Sequence, residues 1–285
     1  MTTRTIVLVA ATVLHALCLF CHGLSTPVSG VTLKIAFDQQ WAVADLSETK
    51  SERFTCDDSL DMVHRLRRVS DCVLVGRRTV ERDDCTLTVR RVAVLPDRPQ
   101  QPVRVVVDPQ LSLFRSPKLD TDDDVPRDGG ASSYRMFCDG LPVIVYHGLD
   151  DETVRSFSIP SMSNTVQLVA VPTQKDASTG SSARMLDVGA MMDDMRTNQG
   201  INHIMVEGGP ATARAFLSAG LVDRAIVVVA PMTFIEPYHS GISSAVLENA
   251  GLSLLGSYQC GDDEVHCWTK CGTEWPSLDD LAQWP

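Results

Sequence analysis

The chain predicts an α/β fold built on a mixed, mostly parallel sheet, and three observations carry that expectation. Short runs such as Cys72 to Val75 and Val103 to Val107 are almost wholly apolar. Strands covered on both faces read this way, whereas half-exposed strands alternate. Between several of these runs lie segments with apolar residues at helical spacing, and strands alternating with helices imply a sheet with helices on both faces. The final apolar runs follow one another without an obvious helix, which implies an antiparallel edge.

Taken in order, Val31 to Ala36 reads as the first strand. Asp58 to Val69 reads as a helix, because Leu60, Val63, Leu66 and Val69 share one face. Strands follow at Cys72 to Val75 (closed by Gly76), Val103 to Val107, Leu141 to Tyr146 and Gln167 to Val171, then a helix at Met185 to Arg196. Ile204 to Val206 is a strand, Gly208-Gly209 a turn, and Pro210 opens a helix. Proline suits a first helical position, and Gly220 suits the C-terminal cap. Val227 to Val229 and Val265 to Lys270 complete the strands. Two segments read as polar loop insertions: Arg115 to Gly140, with an acidic run at Asp120 to Asp124, and Thr173 to Ser182.

Of 285 residues, 44% are hydrophobic and 21% charged, ordinary globular usage for one large domain or two small ones. A net charge of −11 argues against a nucleic-acid surface, and the basic clusters at Arg65 to Arg68 and Arg77-Arg78 are too short to reverse that. A small-molecule partner is expected. Residues 1–30 resemble a cleavable leader, with Arg4 ahead of an apolar run from Ile6 to Phe20. The run is shorter than the roughly 20 residues of a membrane span; a buried N-terminal helix is the other reading. This leaves a catalytic domain at 31–271 and a tail at 272–285. Seven of the nine cysteines follow the leader, an odd and scattered set that forms no secreted disulfide pattern, and no paired CxxC motif calls for zinc. No metal is expected. Secretion and a plastid reached through the secretory route both stay open.

Two stretches carry chemistry. In Ile204 to Pro231 a glycine pair opens a helix directly after a strand, which presents free N–H groups and a positive helix end to an anion. The same pattern also serves as an ordinary packing unit, and it is not the GxGxxG of a dinucleotide fold. In Asp71 to Arg90 a strand ends at Gly76 and is followed by Thr79, Asp83, Asp84, Thr88 and Arg90. These are either surface charges or, beyond the carboxyl end of a strand, a grip on sugar hydroxyls and phosphate.

Together, DCVLVGRRTVERDDCTLTVR and VEGGPATARAFLSAGLVDRAIVVVAP resemble the reductase domain of bacterial riboflavin deaminase-reductases and its fungal and archaeal single-domain relatives. VTLKIA, HRLRRVSD from His64 and QPVRVVVD from Gln101 agree, so the likeness runs from Val31 to Lys270. It implies a three-layer α/β/α dihydrofolate-reductase-like fold, NADPH as cofactor and a homodimer. The implied reaction reduces 5-amino-6-(5-phosphoribosylamino)uracil to its ribitylamino product. By motif, Gly208, Gly209, Pro210, Ala211, Thr212 and Ala213 would cradle cofactor phosphate, with Thr79 and Asp83 against the same molecule. Glu207 and Asp83 would be the catalytic positions. Ser51, Arg67, Leu87, Arg90 and Glu207 would meet substrate, with Arg67 and Arg90 on its phosphate. The HxE…PCxxC pattern of a zinc deaminase does not occur.

The chain departs from the family in three places. Ser-Leu-Asp-Gly after the first strand becomes Phe37-Asp38-Gln39-Gln40-Trp41, Asp-Asp-Pro becomes Asp83-Asp84-Cys85, and an aromatic before Ile-Thr becomes Arg53-Phe54-Thr55. Asp38 either replaces the missing carboxylate or is a loop residue. A reductase of the same fold with a pterin-like substrate, and a non-catalytic nucleotide-binding relative, are the alternatives.

Overall fold

The computed structural model describes residues 28–47, 53–96, 100–114, 133–156, 165–175, 184–277 and 280–285. The chain begins with β1 (Gly30–Phe37) and β2 (Ala42–Asp45), then α1 (Asp57–Val69), β3 (Cys72–Gly76), α2 (Arg77–Asp83) and β4 (Val103–Val107). Next come α3 (Arg135–Cys138), β5 (Val143–His147), α4 (Asp151–Ser156), β6 (Val166–Ala170), β7 (Thr173–Lys175) and β8 (Arg184–Leu186). The last part holds α5 (Val188–Thr197), β9 (His203–Val206), α6 (Pro210–Ser218), β10 (Arg224–Val229), β11 (Pro237–His239), α7 (Ser244–Asn249), β12 (Leu252–Cys260) and β13 (Asp263–Lys270).

Nine strands form one sheet in the order β12-β13-β10-β1-β9-β3-β4-β5-β6. The seven from β10 to β6 are parallel. β13 runs antiparallel to β10, and β12 to β13, which supplies the expected antiparallel edge. Alternate residues of the central strands enter opposite cores. Val31, Leu33, Ile35 and Phe37 pack with Met191, Met192 and Met195 of α5, Phe216 of α6 and Leu247 of α7. Val73, Val75, Val106 and Met205 pack on the other face with Met62, Val63 and Leu66 of α1 and Val80 of α2. The result is three layers, α/β/α, as the sequence predicts.

Some boundaries move for identifiable reasons. The helix expected at Met185 to Arg196 starts at Val188, because Asp187 accepts from Gly189 N and Ala190 N and so caps it. Met185 and Leu186 instead belong to β8, paired antiparallel to β7. Thr173 to Lys175 is therefore strand, not polar loop. In the first expected insertion, Ser133 to Gly140 includes α3, whose Met136 and Phe137 are buried. β12 and α7 are additional elements. β12 alternates only in two short stretches, because a bulge between Leu254 and Gly256 breaks its register and leaves Leu254 and Leu255 both exposed. Residues 1–27 of the expected leader, 115–132 and 176–183 lie outside the described residues. Among the described residues no helix is long and apolar enough to cross a membrane, and all seven cysteines are free thiols.

Candidate active site

The carboxyl ends of the parallel strands carry the charged groups. β9 ends at Val206, and Glu207 N continues its ladder to Leu74 O of β3. The Glu207 carboxylate meets the Arg67 guanidinium in a two-point pair, Nε–Oε1 2.9 Å and Nη2–Oε2 2.7 Å. Both side chains are about one-tenth exposed (10% and 11%), so water screens the pair weakly. Arg67 reaches this point from α1, and its Nη1 also donates to Thr88 O. Three of its five donors are therefore taken, which narrows the expectation that Arg67 and Arg90 share a phosphate.

Lys34, which the sequence reading did not single out, joins this pair. Leu33 of β1 lies opposite Val206 of β9, so the next residues along, Lys34 and Glu207, are neighbours on the α1 side of the sheet. Burial lowers the Lys34 pKa; Glu207 opposes that shift, Arg67 adds to it, and Asp263 opposes it. Among the described residues no hydrogen bond or ion pair engages its ammonium. The signal was a lysine in a mostly apolar strand, and it is decisive only once the neighbouring strand is known.

Beside this cluster lies the glycine turn. Gly209 has φ −60°, an ordinary backbone conformation, so the turn itself does not need glycine there. Close approach does. A Cβ on Gly208 would fall 2.7 Å from Thr212 Cβ, and one on Gly76 would fall 2.5 Å from Thr212 Oγ1. Gly209 N donates to Thr79 Oγ1 at 3.2 Å, which ties the two sequence motifs together across 130 residues. Ala213 N bonds Gly209 O and its side chain is in the core. Pro210 has no N–H, so the donors left in the first turn are those of Ala211 and Thr212, which lack an acceptor inside the helix. A glycine-walled helix N-terminus with two free donors fits a phosphate. Asp83, at the C-terminal end of α2, is exposed.

The third part is the segment from Asp84 to Arg90. Leu87 is 2% exposed and sits at φ 55°, a left-handed position uncommon for leucine. Arg90 is exposed, and among the described residues its Nη1 donates only to the Thr86 hydroxyl. Burial, then the charges of Arg67 and Arg135, lower the Arg90 pKa. Arg135, on α3, holds both the carbonyl and the carboxylate of Asp84. An exposed guanidinium next to other guanidiniums, with no carboxylate partner among the described residues, suits an anion. Ser51 lies outside the described residues.

Asp38 resolves one open alternative. It is fully buried, and its carboxylate accepts from Gln40 N, Ala42 N and Phe234 N. It ties the loop after β1 to the segment after β10 and acts as a loop residue. Phe37 and Trp41 stack at 4.8 Å in the space behind it. Among the described residues no group of three or more His, Cys, Asp or Glu side chains could hold a metal ion.

A glycine-walled helix start beside a charged cluster at the carboxyl edge of an α/β sheet defines the ligand-binding edge of an α/β enzyme class. More specifically, the chain belongs to the RibD C-terminal domain family, which it matches over residues 42–263. It is 30% identical over 232 residues to the 2,5-diamino-6-ribosylamino-4(3H)-pyrimidinone 5′-phosphate reductase of Methanothermobacter thermautotrophicus, covering 79% of this chain and 91% of that protein. Identity to the riboflavin biosynthesis protein RibD of Aquifex aeolicus is 28% over 206 residues, 70% of this chain but 46% of that protein. The chain thus spans nearly all of the archaeal reductase and a little under half of the Aquifex protein. The fold superposes on the deaminase/reductase of Thermotoga maritima with TM-score 0.60 and 21% identity, covering 85% of this chain and 57% of that one. For the yeast riboflavin biosynthesis reductase Rib7 the TM-score is 0.54 at 17% identity, covering 88% and 94%. The family resemblance read from the sequence holds, and the chain is an oxidoreductase of riboflavin biosynthesis.

Proposed function

We propose that this protein uses NADPH to reduce the ribosyl C1′ of 5-amino-6-(5-phosphoribosylamino)uracil, giving the ribitylamino product. The observation that carries the reading is the Arg67–Glu207 pair beside an unpartnered Lys34, next to the Gly208-Gly209 cradle. Ala211 N and Thr212 N would hold cofactor phosphate, with Thr79 bracing the turn. A nicotinamide bound there would supply the hydride for C1′ of the ring-opened imine. Arg90 takes the ribose phosphate, and Leu87 closes the apolar side. Glu207, fixed by Arg67, accepts hydrogen bonds from the ribosyl chain. Lys34 gives a proton to the imine nitrogen as the hydride arrives; its lowered pKa makes it a readier donor than an ordinary lysine.

The test is NADPH oxidation with that substrate. Rapid consumption of NADPH, slower with NADH, is expected; tight NADPH binding without turnover would remove the substrate. A second reading, supported by the name of the archaeal relative, is that the 2,5-diamino-pyrimidinone form is reduced before deamination. Comparing the two substrates at equal concentration decides between them. Glu207→Gln is expected to lower kcat by about 10²-fold, as expected for the loss of a strong hydrogen-bonding group aimed at the reacting centre. We also infer a homodimer, which light scattering tests, and a leader in residues 1–30, which a fluorescent fusion of that segment tests.

A further inference from the structure

The segment from Asp84 to Arg90 belongs to no helix or strand, yet side chains from elsewhere hold most of its backbone. Arg104 donates to Thr86 O, Arg67 to Thr88 O and Arg135 to Asp84 O. Gln101 takes both Val89 N and Val89 O. The last group in the run, Arg90 N, donates to His64 Nδ1 at 3.1 Å. His64 and Arg67 are one turn apart on α1, and Thr88 and Arg90 are two residues apart in the segment. Helix and loop spacings therefore match, and one helix face grips the loop at two points.

His64 is fully buried, and its Nε2 has no partner. A neutral imidazole that accepts at Nδ1 carries its hydrogen on Nε2, so this site holds an orphaned donor. A leucine would fill the same space without that cost. The polar atom that accounts for an imidazole here is Nδ1. Burial, with Arg67 and Arg90 alongside, pushes the ring down to about 4, which keeps Nδ1 free to accept.

We propose that His64 is the positioning residue for Arg90: it sets the backbone from which the anion-binding guanidinium projects, and so sets affinity for the substrate's phosphate. The inference rests on the assignment of Arg90 to that phosphate. Two variants separate its parts. His64→Leu fills the volume without an acceptor, and His64→Asn keeps an acceptor where Nδ1 stands.

His64→Leu is expected to raise KM for the phosphorylated substrate about tenfold, the loss of one hydrogen bond to a fixed group, with kcat and the KM for NADPH nearly unchanged. His64→Asn is expected to recover most of that loss, and the dephosphorylated substrate to be insensitive to either change. In the ligand-free protein, amide exchange at Arg90 should quicken in His64→Leu but not in His64→Asn. Equal damage from both variants would mean that the loss does not follow the Nδ1 acceptor, and a wild-type-like His64→Leu would mean that the ring only fills space; either overturns the proposal. If His64→Leu does not fold, the imidazole nitrogen shifts of the wild-type protein decide: the Nε2–H tautomer supports it and the Nδ1–H tautomer overturns it. A wild-type enzyme indifferent to the substrate's phosphate would instead fail the Arg90 assignment, while exchange at the Arg90 amide would still report the His64 tie.

Discussion

Arg67 and Arg90 are the same residue type in neighbouring motifs, and their partners give them different work. Arg67 is bound to Glu207 and Thr88 O, whereas Arg90 has one neutral hydroxyl. Arg90→Gln should therefore raise KM for the phosphorylated substrate by roughly 10- to 100-fold, the loss of a charged hydrogen bond, and leave kcat within a small factor. Steady-state kinetics checks this. Arg67→Met should act differently, lowering kcat and destabilising the fold by about 3–5 kcal/mol, because a nearly buried carboxylate loses its partner. Denaturant unfolding measures that loss. The sequence offered the residue types but not the pairing, since Arg67 and Glu207 are 140 positions apart. Asp38 shows the same limit, for its three backbone donors come partly from Phe234, far along the chain. Lys34 was visible only as an interruption in a mostly apolar strand.

Between elements, Thr212 of α6 fits against β3 so closely that Gly76 leaves no room for a Cβ. Gly76→Ala should destabilise by about 1–3 kcal/mol, the range for overpacking, and adding Thr212→Ala should recover most of it because the Oγ1 in the way is gone. Thermal melts of the single and double variants test that coupling. The grip of α1 on the Asp84 to Arg90 segment has a pH signature. Burial holds His64 neutral, with its pKa in the folded protein pushed down to about 4 from the 6.5 of a free imidazole. The unfolded chain therefore binds the extra proton first, and this contribution to stability is complete above about pH 6.5 and lost as pH falls toward 4. The charges facing the ring are Arg67, Arg90, Glu207 and Arg91, with Asp61 also close on α1. His64→Asn should flatten the acid side of the stability curve across that window; an unchanged slope would assign it to carboxylates alone. Elements with uniform burial were legible as sequence: β3, β4 and β10 are apolar runs broken only by Arg104 and Arg224, because both faces are covered. β12 was not, because the bulge between Leu254 and Gly256 splits its alternation into two pieces too short to read.

Across the whole molecule, the charged site and the chain's C-terminal residues occupy opposite edges of the sheet. Trp284 packs on Trp275 at 5.0 Å and lies over Arg224 and His203, at the amino ends of β10 and β9. Arg65 Nε donates to Pro285 O, which ties the same segment to α1. Trp284→Ala should cost about 3–5 kcal/mol of stability, typical of a buried tryptophan, yet leave KM for NADPH unchanged. A denaturation curve beside a cofactor titration tests both halves. The alternation of strands and helices made the layers legible, but strand order was not, because register between distant strands leaves no local trace. That order has a consequence in time. β1 is flanked by β9 and β10, and both are made long after it. A ribosome adding about 5–20 residues per second needs on the order of 10–30 s to go from the end of β1 at Phe37 to the start of β9 at His203. Throughout that interval the strand bearing Lys34 has neither of its sheet partners. The strand bearing Lys34 is thus made well before both of its neighbours in the sheet, so the time it spends unpaired is set by translation speed as well as by its own sequence.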